Sequence, residues 1–347
     1  MASNFKSFIL QLLKTIIPLA FGVLVLWLLF RKMDFEEIKA VMKQDVNWWI
    51  IILSLPFGLG ANIMRAFRWE LLIRPLGYNP KRSNLIYAVL GNYGVNLVFP
   101  RLGEVWRCTM IKQYDKVPFT KLFGTLITDR LFDLVAVFFI MVGSAIVSIP
   151  YFKQFLANNP GMFDFFENLL TSPWLYAGII CLVAVIWLVF RLFGETTIVK
   201  KVKKTLLDLW AGVVSIGKMK DKWKFTFYTI LIWFGYFLYF YVCFYAFPFT
   251  ESLGWQRGLF AFVMSSIAVA IPVQGSIGTW HFMIIAVLVG FGVAKSDAGA
   301  FTLVVHTIQS LIFTAAFGLF GVLALPIANR KGANVENEIV NDELNDK

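Results

Sequence analysis

Long apolar runs separated by short polar stretches dominate the chain. Runs that approach or exceed the roughly 20 residues needed to cross a bilayer as a helix predict membrane spans. We place six spans at residues 8–30, 48–66, 122–149, 174–193, 225–247 and 298–326. Between the first two, residues 31–46 have apolar positions at helical spacing with charges opposite, which predicts an amphipathic surface helix. The predicted fold class is therefore an all-α polytopic membrane protein.

Two polar interruptions, residues 92–107 and 268–281, share one layout of an apolar run, Pro-x-x-Gly and an amphipathic continuation. The flanking arms are too short to cross; residues 103–114 span only about 18 Å as a helix. We predict two Pro/Gly-broken re-entrant hairpins, at 85–114 and 259–293. Irregular backbone is tolerated at membrane depth only inside protein or beside a wet cavity. The predicted tips contain Pro100, Gly103, Pro272, Gln274, Gly275, Ser276, Gly278 and His281.

The order of elements repeats, and residues 117–130 align without gaps with 293–306, which places Arg130 on His306 and Asp133 on Gln309. Residues 191–224 carry nine Lys or Arg and residues 150–173 carry one, so the former are predicted to be cytoplasmic. The four Lys or Arg within residues 31–43 would then lie outside, against that rule.

This orientation gives two halves of opposite direction, residues 1–150 and 151–329, which form an inverted-topology repeat. Both termini are predicted to be cytoplasmic. The acidic, Asn-rich residues 330–347 are predicted to be a disordered tail.

Composition narrows the function. Of 347 residues, 59% are hydrophobic and only 15% are charged, which is typical of a membrane protein. The net charge of +11 is better explained by positive-inside bias and anionic lipid than by nucleic acid, so no nucleic-acid partner is expected. Three scattered Cys and two His predict neither disulfides nor a metal site. No P-loop is present, and we expect no cofactor and no catalytic residues.

The chain resembles the flippase-like membrane region of the lysylphosphatidylglycerol synthase (multiple peptide resistance factor) family, over roughly residues 8–329. The resemblance is carried by Arg68-Trp69, Pro100-Arg101-Leu102-Gly103-Glu104, Arg107, Asp129-Arg130, Asp133 and Pro272-x-x-Gly275-x-x-Gly278. It implies movement of lipids between leaflets. The chain ends soon after the last span, so a free-standing member without the synthase domain is expected. In the family an acid usually follows the last Gly motif and an Arg usually stands at the position of His306; this chain has neither.

Polar residues near the first break predict a headgroup site, because Arg forks suit phosphate and a helix start offers free N–H groups. The candidates are Arg101, Glu104, Arg107, Asp129, Arg130, Asp133 and Asn96. The alternative is structural: Glu104 neutralises Arg107, and the two Asp compensate Arg101 or Arg107. Arg65, Arg68 and Arg74 are predicted to form a cytoplasmic girdle, with Arg68-Trp69 as an interfacial anchor.

The predicted function is a lipid transporter that moves an anionic or phosphate-bearing lipid between leaflets of the plasma membrane. The movement would run down the lipid's own gradient or be coupled to an ion. The alternatives are a non-catalytic accessory subunit of a lipid- or glycan-modifying system and a membrane enzyme acting on headgroups. The expected partner is a membrane phospholipid or a lipid-linked substrate. A homo-oligomer or a lipid-modifying enzyme partner is compatible with the sequence.

Overall fold

A computed structural model describes the backbone of residues 23–24, 26–28, 31, 35–44, 46–99, 101–158, 168, 171–192, 196, 220–271 and 273–345. All regular structure in this described part is helical. The predicted span at 8–30, most of the basic segment 191–224 and both Pro100 and Pro272 lie outside it.

Twelve α-helices account for most of the described residues. They are α1 (Phe35–Gln44), α2 (Trp48–Ile73), α3 (Arg82–Val98), α4 (Leu102–Asp115), α5 (Phe119–Asn158), α6 (Pro173–Leu192), α7 (Lys222–Tyr241), α8 (Pro248–Glu251), α9 (Gly254–Ala270), α10 (Thr279–Gly290), α11 (Lys295–Val305) and α12 (Thr314–Asn345). Short 3₁₀ turns occupy Arg74–Leu76, Val242–Ala246 and Gln274–Ser276, and a π-helical segment, His306–Phe313, joins α11 to α12.

Four helical stretches of the described chain are long and apolar enough to cross a membrane. They are Trp48–Leu76, Phe119–Val147, Lys222–Ala246 and Lys295–Arg330. These match four of the six predicted spans and support a multi-pass membrane protein. A 20-residue helix, α6, occupies the position of a fifth predicted span. The full count of six stays a prediction.

The first predicted hairpin is a pair of packed short helices, α3 and α4, of 17 and 14 residues. At 1.5 Å per residue they are about 26 and 21 Å long, shorter than a hydrocarbon core of about 30 Å. Arg101 precedes α4 with a φ of 66°, in the left-handed region that ends regular helix. The side chain of Asn96 then accepts a hydrogen bond from the Gly103 N–H at 2.8 Å, which satisfies a free donor of the new helix.

The second predicted hairpin is the pair α9 and α10, of 17 and 12 residues. The chain reverses through Gly275 and Ser276, whose φ values are 59° and 54°. Gly278 immediately precedes α10 with a φ of 82°. Glycine suits two of these three positive-φ positions because it lacks a Cβ. Both hairpins are thus helical pairs, and their re-entrance into a membrane stays a prediction.

The last helix holds the first hairpin through close backbone contact. A Cβ on Gly94 of α3 would lie 2.7 Å from the Cα of Gly318 in α12. A Cβ on Gly318 would in turn collide with Gly94. This pair of glycines lets α3 and α12 approach closely, as small residues do in membrane helices.

Two compact units divide the chain. One comprises the described residues up to Ser144 together with those from Trp223 onward, and the other comprises Ala145–Lys222. Both hairpins belong to the first unit. The repeat boundary predicted near residue 150 divides the chain by the direction of its spans and not by compact units, and it stays a prediction.

Two terminal features complete the fold. The apolar face of α1, with Ile38 and Val41 buried, packs against α11 inside the protein, so this predicted surface helix is part of the core. At the other end, helix α12 continues to Asn345. The order of residues 330–347 in solution is a separate property, and their disorder stays a prediction.

Candidate anion-binding site

Two buried arginines of α2 face two buried aspartates of α5. Arg65 and Arg68 are three residues apart and Asp129 and Asp133 four apart, so each pair occupies one helix face. Arg68 Nη2 lies 2.7 Å from Asp129 Oδ1 and 2.7 Å from Asp133 Oδ1. Arg65 Nη1 lies 2.5 Å from Asp133 Oδ2. The four side chains form a square in which three sides are charge-assisted hydrogen bonds and the fourth, between Arg65 and Asp129, is an ion pair at 3.6 Å.

The square is deeply buried, so its positive and negative charges must balance. The side chains of Arg68 and Asp129 have no exposed surface, and that of Asp133 is 10% exposed. Isolated buried charges are strongly destabilising, so such groups persist only when paired and hydrogen-bonded. Two guanidinium groups face two carboxylates here. The square is therefore electrically neutral.

Helix α4 adds a second ion pair at the edge of the square. Arg130 Nη2 of α5 lies 2.9 Å from Glu104 Oε1. Asn96 Nδ2 donates to the other Glu104 oxygen at 3.3 Å. The side chains of Arg130 and Glu104 are 37% and 23% exposed, so this pair is more open than the square. The first hairpin is thereby connected to α5.

Arg107, one turn after Glu104, is placed differently. Its side chain is fully buried, and its guanidinium carbon lies 4.4 Å from the centre of the Trp69 ring. The nearest carboxylate oxygen, Asp129 Oδ2, is 3.7 Å from Nη2, beyond a hydrogen bond. None of its three nitrogens has a hydrogen-bond partner among the residues described. Arg107 is a buried cation with unfilled donors.

A second unfilled polar group comes from α3. Both side-chain atoms of Asn92 are buried and lack a hydrogen-bond partner within the described part of the chain. A Cβ on Gly103 would lie 2.8 Å from Asn92 Oδ1, so this amide lies against the start of α4. Gly103 and Arg107 are four residues apart and share a helix face. Buried polar groups are normally satisfied, so two such orphans on neighbouring helices require an explanation.

Helix α7 supports the site from another side. Tyr236 donates to Asn62 Oδ1 at 2.7 Å, and its hydroxyl lies 3.0 Å from that of Tyr93. Arg65 Nε donates weakly to the same Tyr236 oxygen at 3.4 Å. The Trp69 ring, which packs against the Arg107 guanidinium, is held by a 2.9 Å hydrogen bond from its Nε1 to Thr125 Oγ1.

The structure corrects the predicted pairing in three respects. Arg65 and Arg68 do not form a surface girdle, because both are buried against the aspartates. Glu104 pairs with Arg130 and not with Arg107. The aspartates bind Arg65 and Arg68 in place of Arg101, which is exposed at the hairpin tip.

Arg74 alone of the predicted girdle lies outside the square, where it binds Glu70 at 2.6 Å. Of the predicted headgroup residues, the structure brings six together and leaves one apart. Those together are Asn96, Glu104, Arg107, Asp129, Arg130 and Asp133. Sequence reasoning missed Arg65, Arg68, Trp69 and Asn92 as parts of the site. The i, i+3 spacing of the two arginines inside an apolar helix was the available signal.

The second hairpin has a smaller polar cluster. His306 Nε2 lies 2.9 Å from the Gly275 carbonyl oxygen and therefore donates to it. The ring of His281 lies 4.5 Å from that of His306, centre to centre, and both are buried. The hydrogen bond from His306 joins the π-helical segment to the second tip. The side chain of Gln274 lies outside the described residues.

Aligned positions of the two halves make corresponding contacts. Arg130 binds Glu104 near the first tip, and His306 binds Gly275 at the second. Asp133 binds arginines of α2, and Gln309 donates to the Tyr239 carbonyl oxygen of α7, the helix that corresponds to α2 in the predicted repeat. The repeat itself stays a prediction.

Known proteins match parts of the chain. A protein named glycosyltransferase AglD, from Haloferax volcanii, is 28% identical over 116 residues, which are 33% of this chain and 18% of that protein. The UPF0104 membrane protein MJ1595 of Methanocaldococcus jannaschii is 24% identical over 86 residues, 24% of this chain and 26% of its own length. The chain thus matches about a quarter or less of each relative. No solved structure matches. The family model for the lysylphosphatidylglycerol synthase transmembrane region matches residues 15–318, and the chain belongs to this family.

Proposed function

We propose that the protein is a lipid transporter that moves a phosphate-bearing lipid between the two leaflets of the plasma membrane. The observation that carries this proposal is a cationic polar network inside an apolar helical body. Four guanidinium groups face three carboxylates between α2, α4 and α5. Intramembrane charges are costly and are usually functional. An excess of positive charge suits an anionic headgroup.

The surroundings of the network suit the rest of a lipid. On α4, Leu102 and Val105 lie on either side of the partly exposed Glu104 and are themselves exposed. On α5, Leu134 is 67% exposed and lies four residues after Arg130, on the same helix face. A headgroup bound within this network would therefore leave its acyl chains against apolar side chains.

The two hairpins supply a transport geometry. In inverted-repeat transporters, broken helices meet near the membrane midplane and the two halves rock about a central site. The matching contacts of Arg130 and His306 support such a relation here. We propose opposite entry of the hairpins, both termini in the cytoplasm, and movement that is downhill or coupled to an ion.

A second candidate is an accessory subunit of a lipid- or glycan-modifying system. One relative is named a glycosyltransferase, although the match covers 18% of that protein. In this case the network would bind a lipid-linked substrate and present it to a partner enzyme. We propose no catalytic residue in either case.

Transport is tested with the purified full-length chain in liposomes that contain a fluorescent phospholipid in both leaflets. A membrane-impermeant quencher added outside removes only the outer half of the signal unless the lipid crosses. We expect the protein to allow loss of the inner half as well, and Glu104→Gln to slow it. Arg82→Gln is the matched control, because Arg82 is 61% exposed and pairs with Glu70 outside the network.

Rates equal to those of protein-free liposomes, across several anionic and zwitterionic phospholipids, would contradict the transporter proposal. Lipid binding without movement would favour the accessory subunit.

A further inference from the structure

The network of four guanidinium groups and three carboxylates has one excess positive charge, which we assign to Arg107. Arg65 and Arg68 are matched by Asp129 and Asp133, and Arg130 is matched by Glu104. Of the seven charged side chains described in the network, this leaves Arg107 without a carboxylate of its own. Its contact with Asp129 at 3.7 Å shares an acid whose other oxygen already accepts from Arg68.

The donors of Arg107 are also unused. A guanidinium has five N–H groups, and the Trp69 ring face beside it offers no conventional acceptor. Within the described part of the chain, Nε, Nη1 and Nη2 all lack a hydrogen-bond partner although the side chain is fully buried. Burying a charged group unsatisfied is costly, so the fold keeps this guanidinium at the expense of stability.

The amide of Asn92 adds complementary groups. It lies against Gly103, one turn before Arg107 on the same face of α4, and neither of its polar atoms has a partner among the described residues. The unpartnered groups here are thus a forked cation, a neutral donor and a neutral acceptor, with the Asp129 Oδ2 acceptor 3.7 Å from Arg107 Nη2. A phosphodiester presents two charged oxygens for the donors, and a neighbouring headgroup hydroxyl or amine would donate to Asn92 Oδ1.

We propose that Arg107 and Asn92 bind the headgroup phosphodiester of a phospholipid, and that the square of Arg65, Arg68, Asp129 and Asp133 only positions them. One monoanionic phosphodiester neutralises the single excess charge. A phosphomonoester dianion would leave the site negative, and a lipid without phosphate would leave Arg107 uncompensated. This inference rests on the proposed function and names the substrate class at the same site.

The experiment measures binding to the full-length protein in detergent by native mass spectrometry. The probes are phosphatidylglycerol, phosphatidic acid and diacylglycerol with identical acyl chains, together with inorganic phosphate. We expect phosphatidylglycerol to bind most tightly and diacylglycerol to bind at least about tenfold more weakly. Arg107→Gln should lower the affinity for phosphatidylglycerol by about tenfold or more, with little effect on diacylglycerol.

The Asn92→Leu variant distinguishes a loss of lipid binding from a loss of folding. Replacing an unpartnered buried amide by an apolar side chain of similar size should raise the melting temperature, yet lower phosphatidylglycerol affinity. A rise in stability together with a loss of binding is not expected of a merely structural residue. Asn84→Leu is the control, because the Asn84 amide is buried but hydrogen-bonded to Asp115 at 2.9 Å. It should lose stability and keep its lipid preference.

Equal affinity for diacylglycerol and phosphatidylglycerol, or unchanged binding in both Arg107→Gln and Asn92→Leu, overturns the inference. Tighter binding of phosphatidic acid overturns the monoanion assignment. If inorganic phosphate displaces bound phosphatidylglycerol at a lower concentration than unlabelled phosphatidylglycerol does, the assignment of the ligand to a lipid is overturned. If lipids move in liposomes without this selectivity, transport stands and the inference fails. If Arg107 binds the phosphodiester but no lipid moves, the transporter proposal fails and the site stands.

Discussion

Asp129 holds the buried square together, so its removal should be among the most destabilising changes in the protein. Its carboxylate has no exposed surface and lies 2.7 Å from Arg68, 3.6 Å from Arg65 and 3.7 Å from Arg107. Asp129→Leu would leave three buried guanidinium groups with Asp133 as the remaining acid of the square. Breaking a buried ion pair by removing one partner costs about 3–5 kcal/mol. That is a large share of a typical stability of about 5–15 kcal/mol.

The matched control is Arg82→Leu. Arg82 also forms an ion pair, with Glu70 at 3.0 Å, but its side chain is 61% exposed. The Glu70 side chain is buried but also pairs with Arg74 at 2.6 Å, so loss of the solvent-screened Arg82 should cost only about 0–1 kcal/mol. Asp129 contacts three arginines and Arg82 one acid, so the two substitutions differ in the number of ionic partners as well as in burial.

A double substitution separates charge imbalance from lost packing. Asp129→Leu combined with Arg68→Leu removes one charge of each sign, so the square stays neutral through Arg65 and Asp133. We expect the double variant to lose less stability than the sum of the two single variants, by about 1–3 kcal/mol.

Thiol labelling during thermal or denaturant unfolding measures these changes. Cys108 and Cys243 are buried, and a fluorogenic thiol reagent reports their exposure once the exposed Cys181 is replaced by Ser. Asp129→Leu within about 1 kcal/mol of Arg82→Leu would refute the reasoning. Strict additivity of the two single changes would do so as well.

Three further outcomes are expected. Gly94→Ala should lower stability, because its Cβ would lie 2.7 Å from the backbone of the facing helix. Gly60→Ala is the control, because a Cβ there would meet open space. The two melting temperatures are compared, and equal values would contradict the close contact. His306→Leu leaves the carbonyl of the second tip without its 2.9 Å donor, at a cost of about 1–3 kcal/mol, so amide hydrogen exchange should quicken at that tip and not at the first. In a cysteine-free background, single cysteines at Asn158 and Lys203 should be labelled by an impermeant reagent from outside and from inside respectively. Labelling from one side would contradict the inverted repeat.

Prediction from sequence succeeded where the relevant force is local. Apolar runs at span length predicted helices, and four of the six predicted spans correspond to helices long enough to cross. The repeated Pro-x-x-Gly spacing predicted two breaks, and short helix pairs occupy both places. Asn96, four residues before Pro100, was predicted as a headgroup residue, and its side chain accepts a hydrogen bond from the Gly103 N–H at the first break.

The candidate site was predictable as a set of charges but not as a set of partners. Arg65 and Arg68 lie near the end of an apolar run, where arginines commonly meet the membrane surface, and this suggested a girdle. Which acid faces which arginine depends on how α2, α4 and α5 rotate about their axes. No local pattern records that rotation, because it is decided by packing among helices far apart in sequence.

Hydropathy, span length and backbone breaks are properties of contiguous residues, so the order of residues alone predicts a helical membrane protein with two broken hairpins. The packed helices were needed to show that two arginines and two aspartates form a neutral square, that Glu104 pairs with Arg130, and that Arg107 has no carboxylate of its own. Charge balance in a low-dielectric interior is a sum over neighbours in space. It therefore emerges only once the helices are packed.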